Sequence, residues 1–226
     1  MLPTVNRGRA STGGYRNNSV LPQYLRRIVK YKQMDMEYTF WQMLHLCTSP
    51  KVVYQQTKYH KQTKNQWARD DPAFVVICSF LLAVAATAFC AAYGHSVAQA
   101  TFTVVSVVFM HFFLVGVSLA SICWLYAFDV HCNAYFPLYV VLYVLQYFLS
   151  PLLLAHGFVA TLLSNTLYFV ALSYYHYLNF LGYDVLPFLE RTTFFLYPIG
   201  LLALLFPISL LTGFNPSRFA LGLYFG

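Results

Sequence analysis

Charge is scarce in this sequence: of 226 residues only 9% are Asp, Glu, Lys or Arg, and seven are acidic. A water-soluble domain has about a quarter of its residues charged, so most of this chain cannot be presenting hydrated surface. The apolar runs hold no paired carboxylates, and neither an HExxH nor a GxSxG pattern occurs, which removes the common zinc-protease and serine-hydrolase signatures. The five cysteines (Cys47, Cys78, Cys90, Cys123, Cys132) have no paired spacing and mostly lie in or beside apolar runs. They read as small apolar side chains rather than a disulfide framework. Residues 1–20 lack the apolar core of a cleavable signal peptide, so the first membrane span is expected to act as its own insertion signal. No pattern calls for a cofactor or a metal.

Hydrophobicity is plentiful: 59% of residues are hydrophobic and 19% are aromatic. The few charges are unevenly placed. Twelve of the fourteen Lys and Arg and four of the seven acids precede Ala73, so that part is +8, the rest is −1, and the total is +7. Lys and Arg flanking membrane spans stay on the cytosolic side, which predicts a cytosolic amino-terminal head.

The junction is Trp67-Ala68-Arg69-Asp70-Asp71-Pro72, followed by an uncharged run from Ala73 to Tyr93. That run is long enough to cross ~30 Å of hydrocarbon as a helix, with Asp70 and Asp71 at its positive end and Pro72 in its first turn. Upstream, residues 1–20 are polar and read as disordered. Residues 21–71 form a basic amphipathic helical segment, in which Met36, Phe40, Met43, Leu44 and Cys47 recur as one apolar stripe. Ser49-Pro50 marks a helix start, beyond which Lys58, Lys61 and Lys64 recur on one face. Two readings of this head stand: helices packed together with solvated lysines, or a basic surface lying on the anionic cytosolic leaflet or docking a partner. On the second, the contact candidates are Arg26, Arg27, Lys30, Lys32, Lys58, Lys61, Lys64, Trp67 and Arg69. Aromatics among these charges also admit RNA as a partner, without any recognisable RNA-binding module.

Residues 72–226 are expected to form the transmembrane domain, with spans at about 73–93, 101–126, 136–155, 158–178 and 193–211. The fold class is therefore all-α: a polytopic bundle of five transmembrane helices carrying a basic cytosolic helical segment. His111 inside the second span suits a neutral ring bonding to a neighbouring helix. Asp129 and His131 are placed in a loop or helix cap between spans. Gln146 and Asn165 lie at matching depths either side of the Ser150-to-Gly157 turn and are expected to face protein, as candidates to bond each other. Tyr174, Tyr175, His176 and Tyr177 read as an aromatic belt, and 179–192 as a cytosolic loop.

Several local motifs together resemble the Unc-fifty proteins of the Golgi membrane. They include Tyr24-Leu25-Arg26-Arg27, Trp41-Gln42-Met43, Gln66 through Phe74, Ala127-Phe128-Asp129-Val130-His131, Phe180-Leu181-Gly182-Tyr183 and Leu186-Pro187-Phe188-Leu189. The resemblance implies a multi-pass Golgi protein of the early secretory pathway that supports delivery of membrane proteins, nicotinic acetylcholine receptors among them. It also implies a connection to large guanine-nucleotide exchange factors for Arf GTPases. A nuclear inner membrane pool and RNA binding are attributed to the family as well, and no catalytic residue is carried over. Family members have a longer charged loop before the Ala-Phe-Asp-Val-His motif, whereas here Ile122 to Tyr126 runs almost directly into Ala127.

Three function classes follow: a non-enzymatic trafficking factor, an RNA-binding or nuclear-envelope protein, and a transporter or membrane enzyme. The first agrees with both the charge split and the resemblance. The last would call for ionisable groups converging on a cavity and for repeated, discontinuous spans.

Overall fold

Five apolar helices long enough to cross a bilayer run antiparallel, and two shorter helices of the head lean against one end of them. The computed structural model describes residues 34–64, 71–122 and 125–225, and every regular element among them is helical. Helix α1 is Met36–Thr48 and α2 is Pro50–Lys64. The first span, α3, is Ala73–Ala92. Helix α4 runs through Val97–Ser106, a wider π-helical stretch Val107–Leu114, and Val115–Ile122. Helix α5 likewise comprises Leu125–Tyr139, a π-helical Val140–Leu145, and Gln146–Leu153. Helix α6 is Phe158–Asp184, α7 is Tyr197–Leu211 entered through a 3₁₀ turn at Thr192–Leu196, and α8 is Pro216–Phe225.

The head is part of the core. Met43 and Leu46 of α1 and Val53 and Tyr54 of α2 are buried together with Phe74, Ile77, Cys78 and Leu82 of α3. Asp35 caps α1 by accepting from the Tyr38 amide at 2.9 Å, and its own amide donates to Asp71 Oδ2 at 2.7 Å. Asp71 Oδ1 in turn accepts from the Ala73 amide at 3.0 Å, so one carboxylate serves the starts of both α1 and α3. This is the role expected of an acid at helix amino-termini.

Helix α5 is the central column. Residues 129–137 are buried on every side, which carries the third span back to Tyr126, ten residues before the expected start at 136. A hydropathy reading breaks the helix at Asp129, His131 and Asn133, but inside a bundle their polar atoms meet protein rather than lipid. Asp129 and His131 are therefore helical and buried, not part of a connecting loop. Pro137 removes a backbone donor, and the π-helical widening of α5 follows three residues later. Helix α6 also exceeds expectation, reaching Asp184 where a loop was read from Asn179. In contrast, α7 lies at the periphery: no residue in its apolar window is buried.

Helix α8, unforeseen as an element, closes the end of the bundle opposite the head. Asn215 caps it by accepting from the Arg218 amide at 3.0 Å, and Pro216 follows at the first helical position. The Asn215 amide donates to the Leu153 carbonyl, and the Arg218 guanidinium to those of Leu154 and Ala155. These contacts satisfy the open carbonyls where α5 ends.

Candidate interaction face at the head end

The amphipathic stripe read in α1 divides in space. Met43 turns inward with Thr39, Gln42 and Leu46. Met36, Phe40 and Leu44, at four-residue spacing, turn outward and are 45%, 54% and 62% exposed, with Cys47 exposed beyond them. On α2, Lys51 and Lys58 are exposed, and Tyr59 beside them is 67% exposed. The head therefore shows apolar and cationic groups outward while burying a second apolar face. Of the other basic candidates, Lys61 and Lys64 fall in the last turn of α2. Arg26, Arg27, Lys30, Lys32, Trp67 and Arg69 lie outside the described residues.

Behind this face the motif residues form a packing node. The Tyr126 hydroxyl donates to the Gly182 carbonyl at 3.0 Å. A side-chain carbon at Gly182 would stand 2.6 Å from Val130 and 3.1 Å from Tyr54, so α5, α6 and α2 meet there only because the residue is glycine. On the opposite flank, a carbon at Gly116 of α4 would stand 2.8 Å from the Phe128 ring and 3.0 Å from His131. Both ring nitrogens of His131 are engaged: Nε2 with the Phe112 carbonyl at 3.2 Å, Nδ1 with the Tyr175 hydroxyl at 3.0 Å. A carbonyl only accepts, so Nε2 carries the proton and Nδ1 accepts from Tyr175. The Ala127-to-His131 and Phe180-to-Tyr183 motifs thus hold helices together. The sequence marks Gly182 only as part of a motif and Tyr175 only as part of an aromatic belt, and does not single out Gly116, although a glycine inside an apolar helical run is itself a signal of close packing.

Tyr174 and Tyr175 of the aromatic belt also bond across helices. The Tyr174 hydroxyl donates to the Leu46 carbonyl at 2.8 Å, joining α6 to the end of α1. Next to this seam, Tyr126, Tyr183, Leu186, Phe188 and Phe195 line an apolar recess of about 440 Å³.

The membrane-depth candidates lie elsewhere. His111 Nδ1 meets the Tyr143 hydroxyl at 2.8 Å across the α4–α5 contact. Gln146 and Asn165 both face protein, at 1% and 6% exposure, but do not bond each other. Asn165 instead donates to the Thr161 and Phe214 carbonyls and accepts from the Ser209 hydroxyl, which ties α6 to the end of α7. Gln146 keeps both amide atoms without a hydrogen-bond partner. Among the described residues no group of His, Cys, Asp and Glu is arranged to hold a metal ion.

These features define a class: a polytopic α-helical membrane protein with an amphipathic head folded into its core. The sequence profile of the UNC-50 family matches residues 24–125 and 121–225, and the chain belongs to that family. It is 43% identical over 245 aligned positions to a protein unc-50 homolog of Dictyostelium discoideum, covering 98% of this chain and 94% of that one. It is 41% identical over 213 positions to the protein unc-50 homolog of Homo sapiens, covering 85% and 82%. Xenopus laevis homolog A gives the same identity and coverage. No solved structure matches the chain. The first alignment has 245 positions against 226 residues here, so at least 19 find no counterpart in this chain (245 less 226). The two matched segments meet at 121–125, where α4 gives way to α5.

Proposed function

We propose that the chain is a non-enzymatic trafficking factor of the Golgi membrane, supporting transport of membrane proteins through the early secretory pathway. Family membership supports the class, and the head carries the reading for this molecule. Its inner face joins the bundle core, while Met36, Phe40 and Leu44 face outward. A protein that only needed to span the membrane would have no use for a fixed apolar and cationic face outside it. In this proposal the head lies on the cytosolic side, where it meets the anionic leaflet and recruits a large Arf guanine-nucleotide exchange factor. Five crossings then place α8 in the lumen, and nicotinic receptors are the cargo the family suggests.

The deciding experiment is proximity labelling in intact cells from a ligase fused to the amino-terminus of the full chain. The exchange factor is expected among the labelled proteins. The Phe40→Asp, Leu44→Asp double variant should lose it while remaining in the Golgi membrane. Unchanged labelling in that variant, or a head protected from protease added to intact Golgi vesicles, would overturn the proposal.

A further inference from the structure

Two of the five spans widen into π-helical stretches, and these meet. Val107–Leu114 of α4 carries His111, Val140–Leu145 of α5 carries Tyr143, and those two side chains are in contact. Such widened turns recur at functional sites because they displace side chains from the regular helical register. Beside the contact is a cavity of about 360 Å³, walled by α4, α5 and α6 and bounded by Ala220 and Tyr224 of α8. No Asp, Glu, Lys or Arg lines it.

The Gln146 side chain forms part of the wall and is 1% exposed, yet neither its oxygen nor its nitrogen has a hydrogen-bond partner. The Tyr168 hydroxyl is a polar neighbour but does not meet hydrogen-bond geometry with it. The buried Tyr135 hydroxyl, also in the wall, lies beside the Tyr143 hydroxyl without meeting hydrogen-bond geometry with it. An amide left in this state inside a membrane bundle is costly, and the cost is removed by a group that both donates and accepts.

We propose that this cavity binds a sterol, with its hydroxyl donating to Gln146 Oε1 and accepting from Gln146 Nε2. A hydroxyl is the smallest group that answers both halves of an amide. The absence of charged lining disfavours ions and phosphate headgroups. A cavity at the low end of ligand-pocket sizes is too small for a two-chain lipid and takes the fused-ring part of a sterol, whose alkyl tail then extends beyond it. Its aromatic walls, among them Phe89, Tyr143 and Tyr224, offer flat apolar surface for fused rings. The cavity opens at the outside of the bundle, where Met110 and Tyr224 on its edge are 56% and 41% exposed.

Depth agrees. The 28-residue span Tyr126–Leu153 is about 42 Å long against ~30 Å of hydrocarbon, so each end projects by about 6 Å. Gln146, seven residues before Leu153, then lies about 10 Å from the helix end and within about 5 Å of the polar boundary. A sterol hydroxyl occupies that level with its rings below it.

The test uses the full chain in phosphatidylcholine vesicles with a diazirine- and alkyne-bearing sterol that keeps its free hydroxyl. Photolabelling should map to α4, α5 or α8 around the cavity and be displaced by unlabelled cholesterol. Cholesterol methyl ether should displace it about tenfold less well, and diacylglycerol should not displace it. Gln146→Leu, which replaces an unsatisfied amide with an apolar group of similar volume, should fold normally and label about tenfold more weakly. Ala220→Trp, which fills the cavity with Gln146 intact, should abolish labelling. Equal labelling of wild type and Ala220→Trp would overturn the proposal. So would displacement by diacylglycerol, equal displacement by the ether, or a cavity that takes up only water and leaves the sterol unlabelled at any concentration.

Discussion

His131 is held by a hydroxyl from α6, a carbonyl from α4 and the close approach of Gly116, so its surroundings are fixed from three directions. The glycines flanking this node allow a sharp test, because other helical glycines have open space around them. Gly182→Ala must push Val130 and Tyr54 aside and should destabilise the protein by about 1–3 kcal/mol, read as a lower unfolding midpoint in detergent micelles. Gly222→Ala meets nothing within 4 Å and should leave that midpoint unchanged or raise it. His131→Leu removes the acceptor of the Tyr175 hydroxyl and one of the two donors to the Phe112 carbonyl, which keeps the Val115 amide, costing about 1–2 kcal/mol. Combined with Tyr175→Phe the loss should be less than additive, as a double-mutant cycle measures directly.

Among the elements, those whose environment is uniform were the most legible. Five spans could be read from apolar runs because lipid-facing surface such as that of α7 leaves a continuous hydrophobic record. Helix α5 was misread at its start because Asp129, His131 and Asn133 answer to neighbouring helices that no local window contains. The stripe on α1 was recognised as a stripe, but spacing alone cannot say which of two apolar faces turns inward. The cap of α8 was present as Asn215-Pro216, a start signal that hydropathy does not weigh. The seam between head and bundle gives a prediction at this scale. Tyr174→Phe removes the bond to the Leu46 carbonyl, and limited proteolysis should then cut the 34–64 region faster while the spans stay protected.

For the whole molecule, the proposed orientation, with a cytosolic head and five crossings, puts the head and α8 on opposite sides of the membrane. Cys47, exposed at the head end, provides a direct check once the other cysteines are replaced. A membrane-impermeant maleimide should reach it from the cytosolic side of sealed Golgi vesicles. A cysteine placed instead at Leu223, which is 65% exposed on α8, should react only after the vesicles are opened. Both sites reacting from the same side would remove the orientation on which the proposed partner recruitment depends.

The burial of Met43, Leu46, Val53 and Tyr54 against the first span also decides what can serve as bait in a search for partners. A peptide of residues 34–64 expressed alone would present those four side chains to water alongside its natural outer face. It would then capture sticky bystanders through a surface that the intact protein never displays. Binding screens should use the whole chain in a lipid disc, with the fragment serving as a control for false positives.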